Sequence, residues 1–222
     1  MANNATNVWR WIGKVSSEWT SAPAGVPLAY NWTNGADVAV DDYPDSGTLD
    51  TVTMVSSADY ALETCAIAIA VKTITQGASY LGDICVANLT ATTVTAVTNG
   101  SIAGGTITTA NLSGTATATG GLITTANLSG MAIIAGATVT GVLTVNQSAA
   151  TAIYGVFGTD VVCNANTLFD GNCDFTAGTQ IKPAKRKVTV TLAFGAHTWA
   201  GTPVIQYQGA PYSSLWMAGH GS

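Results

Sequence analysis

The sequence predicts an all-β protein whose body is a parallel β-helix, also called a β-solenoid. The eight residues ITTANLSG occupy positions 107–114 and return unchanged at 123–130. Residues 84–159 contain no Asp, Glu, Lys, Arg or His, and charged residues make up 9% of the chain, against about 25% in ordinary soluble domains. Short uncharged repeats rich in Thr, Ile and Val are typical of stacked β coils, because these residues favour strands.

The spacing of the repeat defines one coil. Aligning the two copies places Asn111 over Asn127, sixteen residues on, and Gly and Asn between the strands supply positive φ angles at which a chain turns. Stacked coils lie about 4.8 Å apart, so like charges would repel, whereas amides and hydroxyls can bond along the stack. We therefore expect coils of about sixteen to twenty residues from about residue 60 to 178, with an amide ladder at Asn111 and Asn127.

Two arrangements of strands satisfy this pattern. In one, each chain winds its own β-helix; in the other, three chains intertwine and eight-residue steps cross the faces of a shared prism. The Ala-Asn-Leu motifs place their asparagines at Asn88, Asn111 and Asn127, so the first interval is longer than the second. Variable coil length favours the self-contained helix.

The chain divides into three regions: a Trp-rich N-terminal cap region at 1–58, the solenoid body at 59–178 and a C-terminal β region at 179–222. An open solenoid end exposes apolar interior and strand edges, so we expect Trp11, Trp19 and Trp32 to close the first end. A sugar-stacking platform is the alternative role for these rings. The C-terminal aromatic residues are expected to close the far end or pack between subunits, with recognition of sugars or of a protein as the alternative: Trp199, Tyr207, Tyr212 and Trp216.

Charge is concentrated towards the two ends of the chain. The net charge is -5, nine of the twelve acidic residues precede residue 84, and four of the seven basic residues lie at 182–187. The chain has no broad basic stripe, so nucleic acid is not an expected partner. The basic run is interpreted as a loop that contacts an acidic partner, through Lys182, Lys185, Arg186 and Lys187.

The apolar segments are all short. None reaches the about 18 unbroken apolar residues of a membrane span, and the first residues lack the apolar stretch of a signal peptide. We expect a protein that is made in a cytoplasm and is not inserted in a membrane.

Residues that carry catalysis are sparse and scattered. Cleavage of a glycosidic bond needs two carboxyl groups about 5 to 9.5 Å apart, and the body offers only Asp160, Asp170 and Asp174 near its end. His197 and His220 have no neighbouring partner for a triad. A second acidic cluster surrounds a turn at Pro44 and lacks the spacing of a calcium loop: Asp37, Asp41, Asp42, Asp45 and Asp50. We expect no enzymatic activity, no metal and no cofactor.

The four cysteines have no metal-site spacing. Cys65, Cys85, Cys163 and Cys173 form no C-x-x-C pair and have no His nearby in sequence. We expect buried free thiols, and the spacing does not determine a disulfide.

The N-terminal segment carries a recognisable pattern, W-x-G-x-x-S-x-x-W, then N-W-x-x-G, then a Pro and D-x-V. Its positions are Trp11, Gly13, Ser16, Trp19, Asn31, Trp32, Gly35, Pro44, Asp50 and Val52. The pattern resembles the start of a broad group of bacterial and bacteriophage β-helix proteins. The segment 20–30 separates Trp19 from Asn31, where that group has only a few residues, so a loop insertion is expected there.

The body also resembles the shaft segments of phage fibres and head-decoration proteins. This resemblance implies a structural virion protein on the capsid surface, either a capsid decoration or a short head fibre. It further implies a homotrimer that binds the major capsid protein. The alternative is a tail or head-fibre receptor-binding protein whose partner is a glycan on the host surface.

Overall fold

The computed structural model describes residues 8–12, 19, 32–34, 44, 49–55, 61–146, 153–170, 172–176, 178–184, 188–193, 204–205 and 215–218. Within these residues the chain forms nineteen β-strands and no helix. The strands are β1 (Val8–Trp11), β2 (Trp32–Asn34), β3 (Thr51–Met54), β4 (Ile69–Gln76), β5 (Gly82–Cys85), β6 (Leu89–Ala96), β7 (Gly100–Ile102), β8 (Thr106–Leu112), β9 (Thr117–Ala118), β10 (Leu122–Leu128), β11 (Ile133–Val145), β12 (Tyr154–Phe157), β13 (Asp160–Cys163), β14 (Thr167–Phe169), β15 (Asp174–Phe175), β16 (Gln180–Pro183), β17 (Val190–Ala193), β18 (Val204–Ile205) and β19 (Leu215–Ala218).

Parallel ladders run along the axis of a solenoid. The main sheet has the order β18-β16-β13-β11-β10-β8-β6-β4-β3-β1-β2, and its pairs are parallel except for β1 with β2. Strands β5, β7, β9 and the start of β11 form a second parallel ladder, and β14, β17 and β19 form a third. Each coil thus pairs with the next coil of the same chain. The prediction of an all-β parallel β-helix is confirmed, in its self-contained form.

Coil length varies along the axis. Thr90 pairs with Thr106, sixteen residues on, and Thr106 pairs with Leu122 at the same interval. Ile69 pairs with Leu89, twenty residues on, so coils of sixteen to twenty residues occur in the predicted body. The coil that joins β17 to β19 is longer still, since Val190 pairs with Leu215. The main sheet includes strands from both sides of the boundary that the sequence suggested at residue 58, because β3 pairs with β4.

Each long strand covers two sides of its coil. In β6, Leu89, Ala91, Val94 and Ala96 are buried, whereas the consecutive residues Thr92 and Thr93 both face outward. Two outward residues in a row mark a corner, because an ordinary strand alternates between its faces. Strands β4, β8 and β10 have the same pattern of burial.

The N-terminal end of the core is closed by indole rings. Trp11, Trp19 and Trp32 are 0–1% exposed, and the rings of Trp11 and Trp19 meet that of Trp32 edge to face at centroid distances of 5.0 and 4.6 Å. The Nε1 of Trp32 donates to the carbonyl of Trp19 at 2.8 Å, and the Nε1 of Trp19 donates to the carbonyl of Pro44 at 3.3 Å. Buried indoles therefore fill the first coil and join three separate segments.

A buried glutamine organises one turn of the solenoid. Gln76 is 5% exposed, and its Nε2 donates to the carbonyls of Tyr80 and Thr98 at 2.8 and 2.9 Å. Its Oε1 accepts from the backbone nitrogen of Val97 at 2.6 Å. Because an unpaired amide in the core is costly, these three bonds make the polar side chain tolerable and tie two successive turns together.

Glycine is required where one corner lies against the coil below it. Gly105 has φ of 88°, and a Cβ there would lie 2.6 Å from the carbonyl oxygen of Leu89 and 2.8 Å from the sulfur of Cys85. Gly178 has φ of 90°, but a Cβ there would meet nothing within 4 Å. The two glycines thus share a backbone conformation and differ in packing.

We predict that Gly105→Ala destabilises the fold more than Gly178→Ala. Both substitutions carry the strain of positive φ, about 1–2 kcal/mol, and only the first adds overpacking of about 1–3 kcal/mol. The measurement is the free energy of unfolding of the two variants by denaturant. Equal losses would show that the corner relaxes freely and does not need glycine.

Candidate interaction surface

Two ranks of small polar side chains stand on one outward side of the solenoid. Along a strand they alternate with buried residues such as Val52, Ile74 and Val94. We call the two ranks together the ladder face. The first rank is Thr51, Thr73, Thr93, Thr109 and Thr125, and the second is Thr53, Thr75, Thr95, Asn111, Asn127 and Thr144.

Register makes the ladder face a regular grid. Neighbours within a rank lie one strand spacing apart, about 4.8 Å, and the two ranks are two residues apart along the strand, about 6.6 Å. The amide ladder predicted from the sequence is present, since Asn127 Nδ2 donates to Asn111 Oδ1 at 3.0 Å. The threonines have restricted χ1 angles because they are β-branched, so the grid is also stiff.

A second amide ladder, which the sequence repeat does not predict, joins two later coils. Asn164 Nδ2 donates to Asn146 Oδ1 at 2.8 Å, just beyond the ends of β13 and β11. The signal was present in the sequence, because each Asn follows a buried residue that ends its strand, Val145 or Cys163. It was hidden because this coil differs in length from the sixteen-residue repeat.

Hydroxyl groups at the corners bond to the backbone of the coil below. Thr159 Oγ1 donates to the carbonyl of Thr140 at 2.9 Å, and Thr140 Oγ1 donates to the carbonyl of Ile123 at 3.4 Å. Ser129 Oγ and Thr119 Oγ1 make equivalent bonds, both at 3.4 Å. Neutral side chains thus serve the stacking itself, which accounts for the long uncharged segment.

Charged residues appear where the ladder face ends. Arg10 is in register with Thr53 at one end. At the other end Lys182 Nζ lies 2.6 Å from Asp160 Oδ2, and both side chains are largely buried. Lys182 therefore lies in strand β16 and not in the loop that the sequence suggested, because its segment pairs with β13. Its ammonium group is already paired.

The remaining predicted contact residues are placed only in part. Lys185, Arg186 and Lys187 lie outside the described residues, as do Trp199, Tyr207 and Tyr212. Trp216 belongs to β19, whose side chains are not described. The N-terminal tryptophans are placed, and their burial contradicts the alternative of a sugar-stacking platform, since stacking needs an accessible ring face.

Apolar side chains are exposed on another side of the same coils. Met131, in the turn before β11, is 63% exposed, and Tyr154 is 40% exposed. Ile133 also faces outward, between them along the chain, and Tyr154 is in register with Ala135. We call Met131, Ile133 and Tyr154 the apolar patch.

The thiols are shielded from reaction. All four cysteines are free and buried. Burial raises the pKa of Cys163 to about 11 and the pKa values of Cys85 and Cys173 to about 12. A thiol is a nucleophile only as its thiolate, so Cys85, Cys163 and Cys173 are unreactive at neutral pH.

Of the acids that the sequence offered for catalysis, Asp160 and Asp170 have hydrogen-bond partners, and Asp174 lies in β15 next to Cys173. Asp160 pairs with Lys182, and Asp170 Oδ1 accepts from the backbone nitrogen of Asn172 at 2.9 Å. Of the cluster around Pro44, Asp50 is described, and it is fully buried. Over the part of the chain that the structure describes, no three His, Cys, Asp or Glu side chains are grouped so that they could hold a metal ion.

Comparison with protein-family models, curated proteins and solved structures finds no match to this chain. In the described residues no helix has the length and apolarity to span a membrane. Fold and surface together define a self-contained parallel β-solenoid whose outward side chains are largely neutral.

One acid outside these groups has a perturbed pKa. Burial raises the pKa of Asp83 above its ordinary value, a hydrogen bond from Ser101 lowers it, and the charge of Glu63 raises it. The folded state therefore binds this proton more tightly than the unfolded state does. Its contribution to stability is present at low pH and is lost as the pH rises from about 4 through the raised pKa.

We predict that Asp83→Asn removes this loss, so that the variant gains stability over the natural chain as the pH rises from about 4 to about 7. Ser101→Ala should enlarge the loss, because it removes the bond that favours the charged carboxylate. Urea unfolding across this pH range measures both effects. Parallel pH profiles for the natural chain and Asp83→Asn would contradict the assignment.

Proposed function

We propose that this protein is a non-enzymatic structural component of a bacteriophage particle, either a capsid decoration protein or a short head fibre. The observation that carries the proposal is the neutral, hydrogen-bonded surface of residues 84–146 and 153–159, where amides and hydroxyls bond to the coil above or below. Such a surface supplies rigidity and flat contact area. The resemblance of the body to phage shaft and decoration segments supports the same role.

The dimensions of the solenoid suit a spacer or a clamp. The ten parallel strands from β1 to β18 in the main sheet rise about 43 Å at about 4.8 Å per step. Every step is held by backbone ladder bonds and by a continuous apolar core. A rod of this kind can bridge neighbouring shell subunits or project from the shell without bending.

Self-association is supported by the apolar patch. Met131 and Tyr154 are exposed and Ile133 is partly exposed, and Tyr154 is in register with Ala135, two residues along β11 from Ile133. Apolar side chains grouped on a surface mark interaction sites. A stable interface buries about 800 Å² on each partner, so three side chains would form only its centre, with the surrounding Thr and Ser surface at its rim. Closed cyclic symmetry is the common outcome for identical subunits, and the phage resemblance selects three copies.

Attachment to the shell uses one terminal region. The basic run at 185–187 is the better supported of the two rivals, because the N-terminal tryptophan rings are buried in the cap. An acidic patch on the major capsid protein is the partner that this run fits. Lys182 contributes less, since Asp160 already neutralises it.

The deciding experiment locates the copies in intact particles by electron cryomicroscopy. Density at three-fold positions on the head supports the decoration role. Density confined to the tail tip would replace it with receptor binding. Recovery of the protein only from host cell envelopes would exclude both.

We predict that the natural chain is a trimer, with a mass about three times 22.5 kDa by light scattering, and that Met131→Lys with Tyr154→Lys converts it to monomers. Charges at the centre of an interface lose their hydration without gaining a partner. Thr92→Lys, on an exposed corner of β6, is the matched control and should stay trimeric. A double variant that remains trimeric would rule out the apolar patch as the contact.

A further inference from the structure

We infer that Cys65 and Cys85 are a redox-active pair, which a peroxide closes into a disulfide that fastens two successive coils of the solenoid together. This proposal is independent of the capsid role. It rests on the register of the chain around the two residues, which are both buried and both free. In reducing surroundings such a pair stays open, and in oxidising surroundings it closes.

The two cysteines occupy equivalent positions in neighbouring coils. Ile69 and Leu89 are paired in register at the start of β4 and β6. Cys65 precedes Ile69 by four residues, and Cys85 precedes Leu89 by the same number. The ladder therefore places Cys65 and Cys85 one above the other along the axis of the solenoid.

Contacts on both sides of the pair hold the two segments together. Before the cysteines, Leu62 forms a backbone bridge with Asp83. After them, Asn88 Nδ2 donates to the carbonyl of Cys65 at 2.8 Å. Neighbouring coils lie about 4.8 Å apart, and two cysteines can be bridged when their Cα atoms are about 4.4–6.8 Å apart. The spacing of the coils thus falls within the range that a disulfide requires.

Both sulfur atoms lie inside the solenoid. Cys65 is 5% exposed and Cys85 is fully buried, so both side chains point into the same core. The thiol of Cys65 donates to the carbonyl of Ile67 at 3.1 Å, and the sulfur of Cys85 packs beside Gly105 of the next coil. Rotation about χ1 turns the two sulfurs towards each other, and this rotation is open to cysteine because its Cβ is not branched.

Cys65 is the thiol that a peroxide reaches first. It precedes a bend at Ala66 and Ile67, which are both exposed. Its sulfur takes one oxygen from hydrogen peroxide to become a sulfenic acid, and the first water leaves. The sulfur of Cys85 then displaces that oxygen as a second water, and the S–S bond forms. In total two S–H bonds and the O–O bond break, and two electrons pass from the sulfurs to the peroxide.

The second step depends on proximity. Burial and the nearby Cys65 raise the pKa of Cys85 to about 12, so about one Cys85 thiol in 10⁵ is ionised at pH 7. A partner held in position has an effective concentration of about 10⁵ M or more, which offsets the low fraction of thiolate. Cys85 is therefore unreactive towards reagents in solution and reactive towards an oxidised Cys65.

The other two cysteines lack this arrangement. Cys163 is in register with Val145 on one side and with Pro183 on the other. The thiol of Cys173 donates to the carbonyl of Ile153 at 2.9 Å. Neither has a cysteine at its own position in a neighbouring coil, so Cys163 and Cys173 are the matched controls.

The test treats the purified full chain with hydrogen peroxide, blocks the remaining thiols and maps disulfides by mass spectrometry. Cleavage before aspartate places each cysteine in a peptide of its own, because Asp83, Asp160 and Asp170 separate the four. We expect the peptides of Cys65 and Cys85 to be linked, with a mass loss of about 2 Da that dithiothreitol reverses. The thermal unfolding midpoint should rise by about 4 °C or more, because the bond constrains the unfolded chain.

Variants separate the pair from the other thiols. Cys65→Ala and Cys85→Ala should each abolish the link and the rise in the thermal midpoint, whereas Cys163→Ala should keep both. Circular dichroism verifies that the variants are folded. The mapping of the natural chain needs no variant, so it decides the question even where a variant fails to fold.

Four results would overturn the inference: no linked peptide, a link that involves Cys163 or Cys173, a link between two chains, or a link that leaves the thermal midpoint unchanged. The location of the protein in the virion is measured separately, so failure of either proposal leaves the other standing.

Discussion

In-register parallel pairing of each coil with the next is the constraint on which the rest of this structure depends. Every side chain lies about 4.8 Å from its counterparts in the coils above and below. Each outward position therefore needs a residue that can lie next to a similar residue without repulsion. Thr93 stands on Thr109, and Asn127 bonds to Asn111. Opposite charges are accepted where they meet as a pair, as Lys182 and Asp160 do. The composition of the surface therefore follows from stacking, because each outward side chain must be compatible with the side chains of the neighbouring coils.

The same constraint explains how much of the fold the sequence could predict. The verbatim repeat determined the register of β8 with β10, and with it the coil length and the Asn111–Asn127 ladder. Positive φ was expected at Gly and Asn, and it occurs at Asn88, Asn99 and Gly105. These features are local in sequence or repeat at one interval, so a pattern read along the chain contains them.

What the sequence did not reveal depends on coils of unequal length. The ladder face needs Thr51, Thr73 and Thr93 in one rank, but the two intervals between them are unequal and both exceed that of the ITTANLSG repeat. The basic run predicts a loop at Lys182, whereas Lys182 pairs with Val162 of β13 across a coil of twenty residues, an interval that the sixteen-residue repeat does not contain. The turn that Gln76 stabilises could not be predicted for another reason. The three hydrogen bonds of the Gln76 side chain reach two separate turns, and only the folded chain brings these turns together.

The duplicated segment has a consequence for how the chain finds its register. Strands β8 and β10 carry nearly the same residues, so either could pair with β6 and satisfy the same ladder while sixteen residues bulge out. More than one register is thus possible in the middle of the solenoid, and the native register must be determined by its ends. The indoles around Trp32 and the packed rings of Phe157, Phe169 and Phe175 fit only one arrangement each. The two aromatic clusters therefore fix the number of coils between them, because a shift of register by one coil would displace one cluster by a full turn.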